Sequence, residues 1–244
     1  MGERSATLVI ACGALAHEIV ALRRINDWPH LVVQCLPADL HNRPQKIPGA
    51  VRAKIQANRD RFASIFVAYA DCGTGGQLDQ VLREEGVERI PGDHCYEFFA
   101  GSQAFAAMAD AEPGTFYLTD FLLRHFDRLI MRGLGIDKHP ELLPLYFGNY
   151  TRLVYLAQLE QPGMLEAGQQ AADRLGLAFE HRFTGYGGLQ HSLGLGLDDA
   201  REDQTPAWSD EIWLVRQQLD DHSRDDVGDD QVVRFAARIL ELAL

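Results

Sequence analysis

The chain has 244 residues, of which 46% are hydrophobic and 24% charged, enough apolar surface for one large globular domain or a domain with an appendage. Its net charge of −12 excludes sequence-independent nucleic-acid binding, which needs a cationic face against phosphate. No apolar run approaches the roughly 18 residues of a membrane-crossing helix, so neither nucleic acid nor membrane is an expected partner.

Met1–Gly13 lacks a cationic stretch leading into a long apolar region and cleavage site, which points to the cytoplasm rather than secretion. Thr7–Cys12 is an apolar run of strand length, and Gly13 opens a helix to about Arg24. His30–Cys35 is a second strand, and a loop from Pro37 to Pro48 leads to a helix over about 49–60. Ala63–Tyr69 is a third strand, broken by Asp71-Cys72-Gly73. Next come a helix over about 76–85, a short strand at Val87–Ile90, an amphipathic helix over 96–110 and a fifth strand at Thr115–Leu118.

Beyond residue 118 the pattern turns helical. Asp120–Arg132 carries Phe121, Leu122, Phe126, Leu129 and Ile130 at helical spacing, with Gly133 and Gly135 as stops. Residues 140–159 read as one or two helices, Gly163–Leu175 as another, and Leu177–Phe183 as a last strand before the glycine-rich turn Thr184–Gly188. Two late helices, 208–219 and 229–243, flank an acidic block. Residues 198–230 hold twelve Asp or Glu against three Arg, which places nine of the twelve net negative charges there. Such a block reads first as a solvated face. Strands alternating with helices predict an α/β fold: a doubly wound, mostly parallel sheet with helices on both faces over 1–197, followed by an acidic helical extension over 198–244.

The four cysteines, Cys12, Cys35, Cys72 and Cys95, all lie in the first 95 residues. In a reducing compartment they stay thiols. Ligands of open parallel sheets bind outside the carboxyl ends of the strands. Cys12 and Cys35 end the first two strands, Cys72 follows the third and Cys95 the fourth, so the thiols are expected at one edge. Cys12-Gly13 and Cys72-Gly73 would set a thiol near a helix N-terminus, which favours thiolate. A single cysteine is as readily a small buried hydrophobe; the expectation rests on the set.

Soft thiolates with imidazole suit zinc or an iron–sulfur cluster. No CxxC occurs in the sequence, so scattered ligands fit an open or cluster-type site better than a structural zinc. Cys12, Cys72 and Cys95 are the expected metal ligands. His94 and Glu97 are the expected proton carriers, and Cys35 or His94 is left open as a fourth ligand. His41, Asn42 and Arg43 lie in the loop after the second strand, where Arg suits bidentate pairing with an anionic substrate. Gly73 and Thr74 belong to a turn able to form a backbone nest for an anion. That turn lacks the lysine of a P-loop. His17 and Glu18 sit one turn past Cys12; the plain reading is a solvated helix face, taken here for His17. Thr119-Asp120 either adds a carboxylate at the same edge or caps the next helix.

The phrases ACGALAHEI, LHNRP, YADCGTGG and HCYEFFAG, in this order, resemble those of a bacterial and archaeal family of domains of unknown function. Its members often lie beside genes for corrinoid-dependent methyltransferases of methylamine and betaine metabolism. The resemblance covers about residues 6–195 and places Cys12, Cys72, His94, Cys95 and Glu97 in motif positions, with Cys35 outside them. It implies one-carbon metabolism. The expectation is then a metal- or cluster-dependent protein, most concretely a methyl-transfer enzyme for a small-molecule substrate working with a corrinoid protein or methyltransferase partner. Zinc on the three thiolates would hold a substrate thiolate at its open position. An iron–sulfur cluster on the same residues would serve electron transfer or corrinoid reactivation instead. Two other readings stand beside it: an accessory module binding a metal, corrinoid or partner without turnover, and cysteine nucleophilic catalysis with His94 as base.

Overall fold

The computed structural model describes residues 6–193. The expected acidic extension, its two late helices and the boundary at 197 lie outside the described residues. The described chain divides into two compact units, one comprising the residues up to Cys95 with those from Leu189, the other Tyr96–Gly188. Among the described residues, no helix is long and apolar enough to cross a membrane.

The first unit opens with β1 (Thr7–Cys12), followed by a single turn of 3-10 helix over Gly13–Leu15 and α1 (Ala16–Ile25). β2 (Leu31–Leu36) leads through two short 3-10 turns, Ala38–Asn42 and Pro44–Lys46, to α2 (Ile47–Asn58). β3 (Ser64–Ala68), α3 (Gln77–Glu85) and the two-residue β4 (Glu88–Arg89) complete it. The four strands form one parallel sheet in the order β2-β1-β3-β4. β1 lies inside that sheet and is buried at every residue. A strand covered on both faces has no polar side to show, which is why Thr7–Cys12 reads as an unbroken apolar run. α3 buries Leu78, Val81 and Leu82, a single stripe at helical spacing, between Gly76 (φ 79°) and Gly86 (φ 64°).

The second unit begins with α4 (Tyr96–Ala100) and α5 (Ser102–Ala111). It continues through β5 (Thr115–Thr119), α6 (Asp120–Arg124), a π-helical turn at Asp127–Met131, α7 (Leu143–Phe147), β6 (Arg152–Ala157), α8 (Met164–Leu175) and β7 (Ala178–Phe183). Its strands form a second parallel sheet, β5-β6-β7. Alternate side chains feed two apolar clusters. Phe116, Leu118, Leu153, Tyr155 and Ala157 join the larger. Tyr117, Val154 and Leu156 join the smaller, against Phe105 and Tyr96. That is the period-two signature of strands with both faces covered. A last helix, α9 (Gly187–Leu193), ends the described chain.

The α/β class holds, with all strands parallel, but the strands fall into two sheets rather than one. Residues 140–159, expected as helix, contain β6. Its RLVYLA run is buried at five of six positions, and so short an apolar run has no period to separate buried strand from buried helix. The helix expected over 96–110 is broken at Gly101, whose φ of 81° and ψ of 138° suit glycine alone.

Candidate functional site

The first sheet sets the site by register. Ala11 is level with Cys35 on β2 and with Ala68 on β3. One residue further, Cys12 is level with Leu36, and Tyr69 follows Ala68 past the last pair of β3. Partners level with each other in a parallel sheet project from the same face, and successive residues from opposite faces. Cys12 and Cys35 therefore leave opposite faces of the sheet. The chains beyond β3 and β4 stay tied. Asp71 N donates to the Gly92 carbonyl and Cys72 N to that of Asp93, both at 3.0 Å. This brings Cys95 within electrostatic reach of Cys72, as is Cys12.

Cys72 is half-buried and has φ 50°, a left-handed conformation that residues with a Cβ rarely adopt. Such a conformation costs about 1–3 kcal/mol and persists only where its surroundings enforce it. Here the loop is wound around Asp71. Its carboxylate accepts from the Thr74 hydroxyl at 2.5 Å, Gly75 N at 3.0 Å and Gly76 N at 2.9 Å. Partial burial works against ionisation of Asp71, but these hydrogen bonds outweigh it and hold the carboxyl below its ordinary range. Thr74, 1% exposed, also accepts from Leu78 N at 3.3 Å. The amides of Gly75 and Gly76 are thus turned onto the loop's own carboxylate. Thr74 shapes the turn that presents Cys72, and its hydroxyl is already engaged.

His41 arrives from the 3-10 turn after β2. Its Nδ1 lies 3.6 Å from Cys12 Sγ and 3.1 Å from the Ala38 carbonyl. The ring is also hydrogen-bonded to the Cys72 thiol. One imidazole therefore touches two thiols that stand 60 residues apart in the chain. A carbonyl only accepts, so a neutral ring carries its proton on Nδ1 and leaves Nε2 as the accepting nitrogen. Burial would lower the His41 pKa. The adjacent Cys72, the Ala38 carbonyl and Asp39 more than offset this and raise it. Cys12 is buried, and burial pushes its thiol up to about 12 although Ala14 N donates to the sulfur at 3.3 Å. Burial likewise pushes Cys35 up to about 12. Burial also raises Cys72, with the His41 contact pulling the other way. Burial thus keeps Cys12 and Cys35 protonated.

Two residues outside the expected set belong to this neighbourhood. Tyr69 is 1% exposed. Its hydroxyl interacts with the Cys12 thiol and lies within electrostatic reach of Cys72 and Cys35. Glu18, on α1, is 4% exposed and acts electrostatically on Cys12, so it is no part of a solvated helix face. The buried position of Glu18 was readable in part from its place between Ala16 and Ile19, both buried on the same helix. Nothing in the sequence marks Tyr69 as a neighbour of Cys12.

The other expected residues are spread out. His94 is half-buried, just before Cys95. Glu97 is half-buried on α4, in the second unit. Asn42 ends the turn that carries His41, and Arg43, half-buried, follows it. Thr119 caps α6 by accepting from Leu122 N at 3.4 Å. Asp120 is wholly buried and accepts from Tyr155 Oη at 2.7 Å, Gln158 N at 3.0 Å and Leu159 N at 3.2 Å. It latches β5 to β6 in the second unit. Among the described residues, no group of three His, Cys, Asp or Glu side chains is spaced to hold a metal ion.

Parallel α/β sheets, with thiols and an imidazole past the strand ends of the first, define the class of protein. The chain belongs to the family described as Protein of unknown function (DUF1638), whose profile matches residues 35–193. The match takes in His41, Tyr69, Cys72 and Cys95, begins at Cys35, and leaves β1 with Cys12 ahead of it. No curated protein and no solved structure matches the chain.

Proposed function

We propose that this chain is a thiol-dependent group-transfer protein in which Cys72 is the reacting sulfur and His41 receives its proton. The observation that carries the reading is Cys72 itself, held at φ 50° between β3 and α3 with an imidazole bonded to its thiol. A sharp strand-to-helix turn lifts a side chain clear of the sheet, which suits a nucleophile. A thiol that rests protonated needs a base in contact with it, and the His41 ring is in contact with Cys72. Cys72 Sγ attacks an electrophilic carbon, the C–S bond forms, and the bond to the leaving group breaks. The leaving group departs with the electron pair, and the thiol proton passes to the His41 ring. Soft sulfur favours soft carbon, so methyl transfer is the version that also accords with the one-carbon setting implied by the sequence. His41 is taken as the base in preference to His94 because its ring is bonded to Cys72. Cys12 is the poorer nucleophile, being fully buried and already accepting from Ala14 N.

A second reading is favoured by the number of soft donors. Cys12, Cys72 and Cys95 lie within electrostatic reach, and His41 contacts two of them. In this reading they hold zinc or an iron–sulfur cluster and act with a corrinoid partner, and the side chains close around the metal as it binds.

The test is to treat anaerobically purified protein with limiting iodoacetamide and map the modified peptides. Cys72 is expected to be labelled first, at least about tenfold ahead of Cys12 and Cys35, with Cys72→Ser removing the fast label. First labelling of Cys35 or Cys95, with Cys72 left free, would overturn the proposal. Elemental analysis of the same sample addresses the second reading: stoichiometric zinc or iron supports it, and metal-free protein that reacts at Cys72 counts against it.

A further inference from the structure

We infer that Cys72 and Cys95 are a redox-active thiol pair: a small hydroperoxide oxidises Cys72, and Cys95 closes on it as a reversible disulfide. The inference rests on the Cys72–His41 contact of the thiol reading above, though not on transfer to carbon.

The two chains that carry the pair are clipped together. Asp71 N donates to the Gly92 carbonyl and Cys72 N to the Asp93 carbonyl, both at 3.0 Å, and Cys95 stands two residues past that last bond. The chain before Cys95 is braced by Arg89, whose Nη1 donates to the Ile90 carbonyl at 2.8 Å and the Gly92 carbonyl at 3.0 Å. The loop around Cys72 is braced by the Asp71 carboxylate, which takes the Thr74 hydroxyl and the Gly75 and Gly76 amides. Chains joined by backbone hydrogen bonds run about 4.8 Å apart. A disulfide spans roughly 4.4–6.8 Å between Cα atoms. The bridge is therefore reached by side chains and the short link from Asp93 to Cys95, with both strands in place. Cys72 and Cys95 are both reduced and half-buried, whereas Cys12 is 2% exposed at the end of a strand buried throughout. A peroxide thus meets Cys72 before Cys12. Of these two thiols, Cys95 also acts on Cys72 more strongly than Cys12 does.

The Cys72 proton passes to the His41 ring, and the sulfur attacks one peroxide oxygen. The S–O bond forms and the O–O bond breaks. The departing oxygen takes the proton and leaves as water or an alcohol, and Cys72 becomes a sulfenic acid. Cys95 sulfur then attacks Cys72 Sγ, the S–S bond forms, and the hydroxyl leaves with the Cys95 proton as water. Two electrons have passed from the thiols to the peroxide, and a dithiol reductant restores the pair. While bridged, Cys72 has no thiol to alkylate.

The test treats the reduced full chain with equimolar hydrogen peroxide, blocks remaining thiols and digests with trypsin without reductant. Arg83 and Arg89 separate the two cysteines, so the expected product is peptide 62–83 joined to peptide 90–124. Dithiothreitol is expected to release it and restore iodoacetamide labelling of Cys72 to the untreated rate. Cys95→Ser is expected to lose the joined peptide and leave a Cys72 sulfenic acid that dimedone captures. A bridge from Cys72 to Cys12 or Cys35, or Cys72 still a thiol after peroxide, would overturn the pair. The thiol reading is judged separately, on untreated protein: Cys72 labelled first by iodoacetamide, with no bridge after peroxide, removes the pair and leaves that reading standing. A Cys72–Cys95 bridge in a protein that iodoacetamide labels first elsewhere supports the pair and removes the transfer reading.

Discussion

Cys72 and Cys12 share an imidazole but differ in what holds them. Cys12 ends a buried strand in ordinary extended geometry, with φ −64° and ψ 137°. Cys72 occupies a backbone conformation that favours glycine. A residue kept there at a cost in stability is serving something other than the fold. Cys72→Gly is therefore expected to be more stable than Cys72→Ala by about 1 kcal/mol, because only glycine relieves the left-handed strain. Urea midpoints of the two variants check this, and equal midpoints would mean the loop carries no strain at that position. Both variants lose the reactive thiol, so the comparison separates backbone from chemistry.

At the scale of elements, the loop from Asp71 to Gly76 and the α3–β4 contact hold the thiol in place. Arg89 on β4 grips Asp79 on α3 through Nε at 2.5 Å and Nη2 at 3.0 Å. Those hydrogen bonds, more than the slight burial that opposes them, set the Asp79 carboxyl below its ordinary value. A carboxyl depressed in the folded state adds stability that is fully present above its unfolded pKa of about 3.9 and is lost as pH falls through the folded value. Asp79→Asn should thus show a flatter fall of urea midpoint than the parent between pH about 5 and about 3. An identical fall in both would remove the pair from the acid response. The elements themselves were legible where one period dominates. β1 and β3 are apolar runs of strand length, and α3 and α8 have clean one-sided stripes. β6 was not legible, because RLVYLA is buried on both faces and lies among prolines and aromatics that fit either element.

At the scale of the whole chain, the edge on which the thiols gather could be read from strand ends alone, since the crevice rule depends only on strand direction. The contacts within it could not. The Cys12–His41 contact spans 29 residues, and the loop that carries His41 shows no period to place it. The acidic block beyond residue 197 carries most of the net charge and none of the cysteines. A chain ending at residue 197 is expected to keep the Cys72 labelling rate within about twofold of the parent, since none of the cysteines, nor His41, lies beyond that point. A drop beyond tenfold in a folded truncation would show that the acidic segment acts on the site.

The central claim is that His41 serves Cys72 as its base, and one rate ratio tests it most directly. The second-order rate constant for alkylation of Cys72 is measured at neutral pH in the parent and in His41→Gln, with labelling of Cys35 in the same samples as the check on folding. Loss of a positioned base predicts a fall of about a hundredfold at Cys72 with Cys35 unchanged. An unchanged rate at Cys72 in the folded variant would contradict the claim.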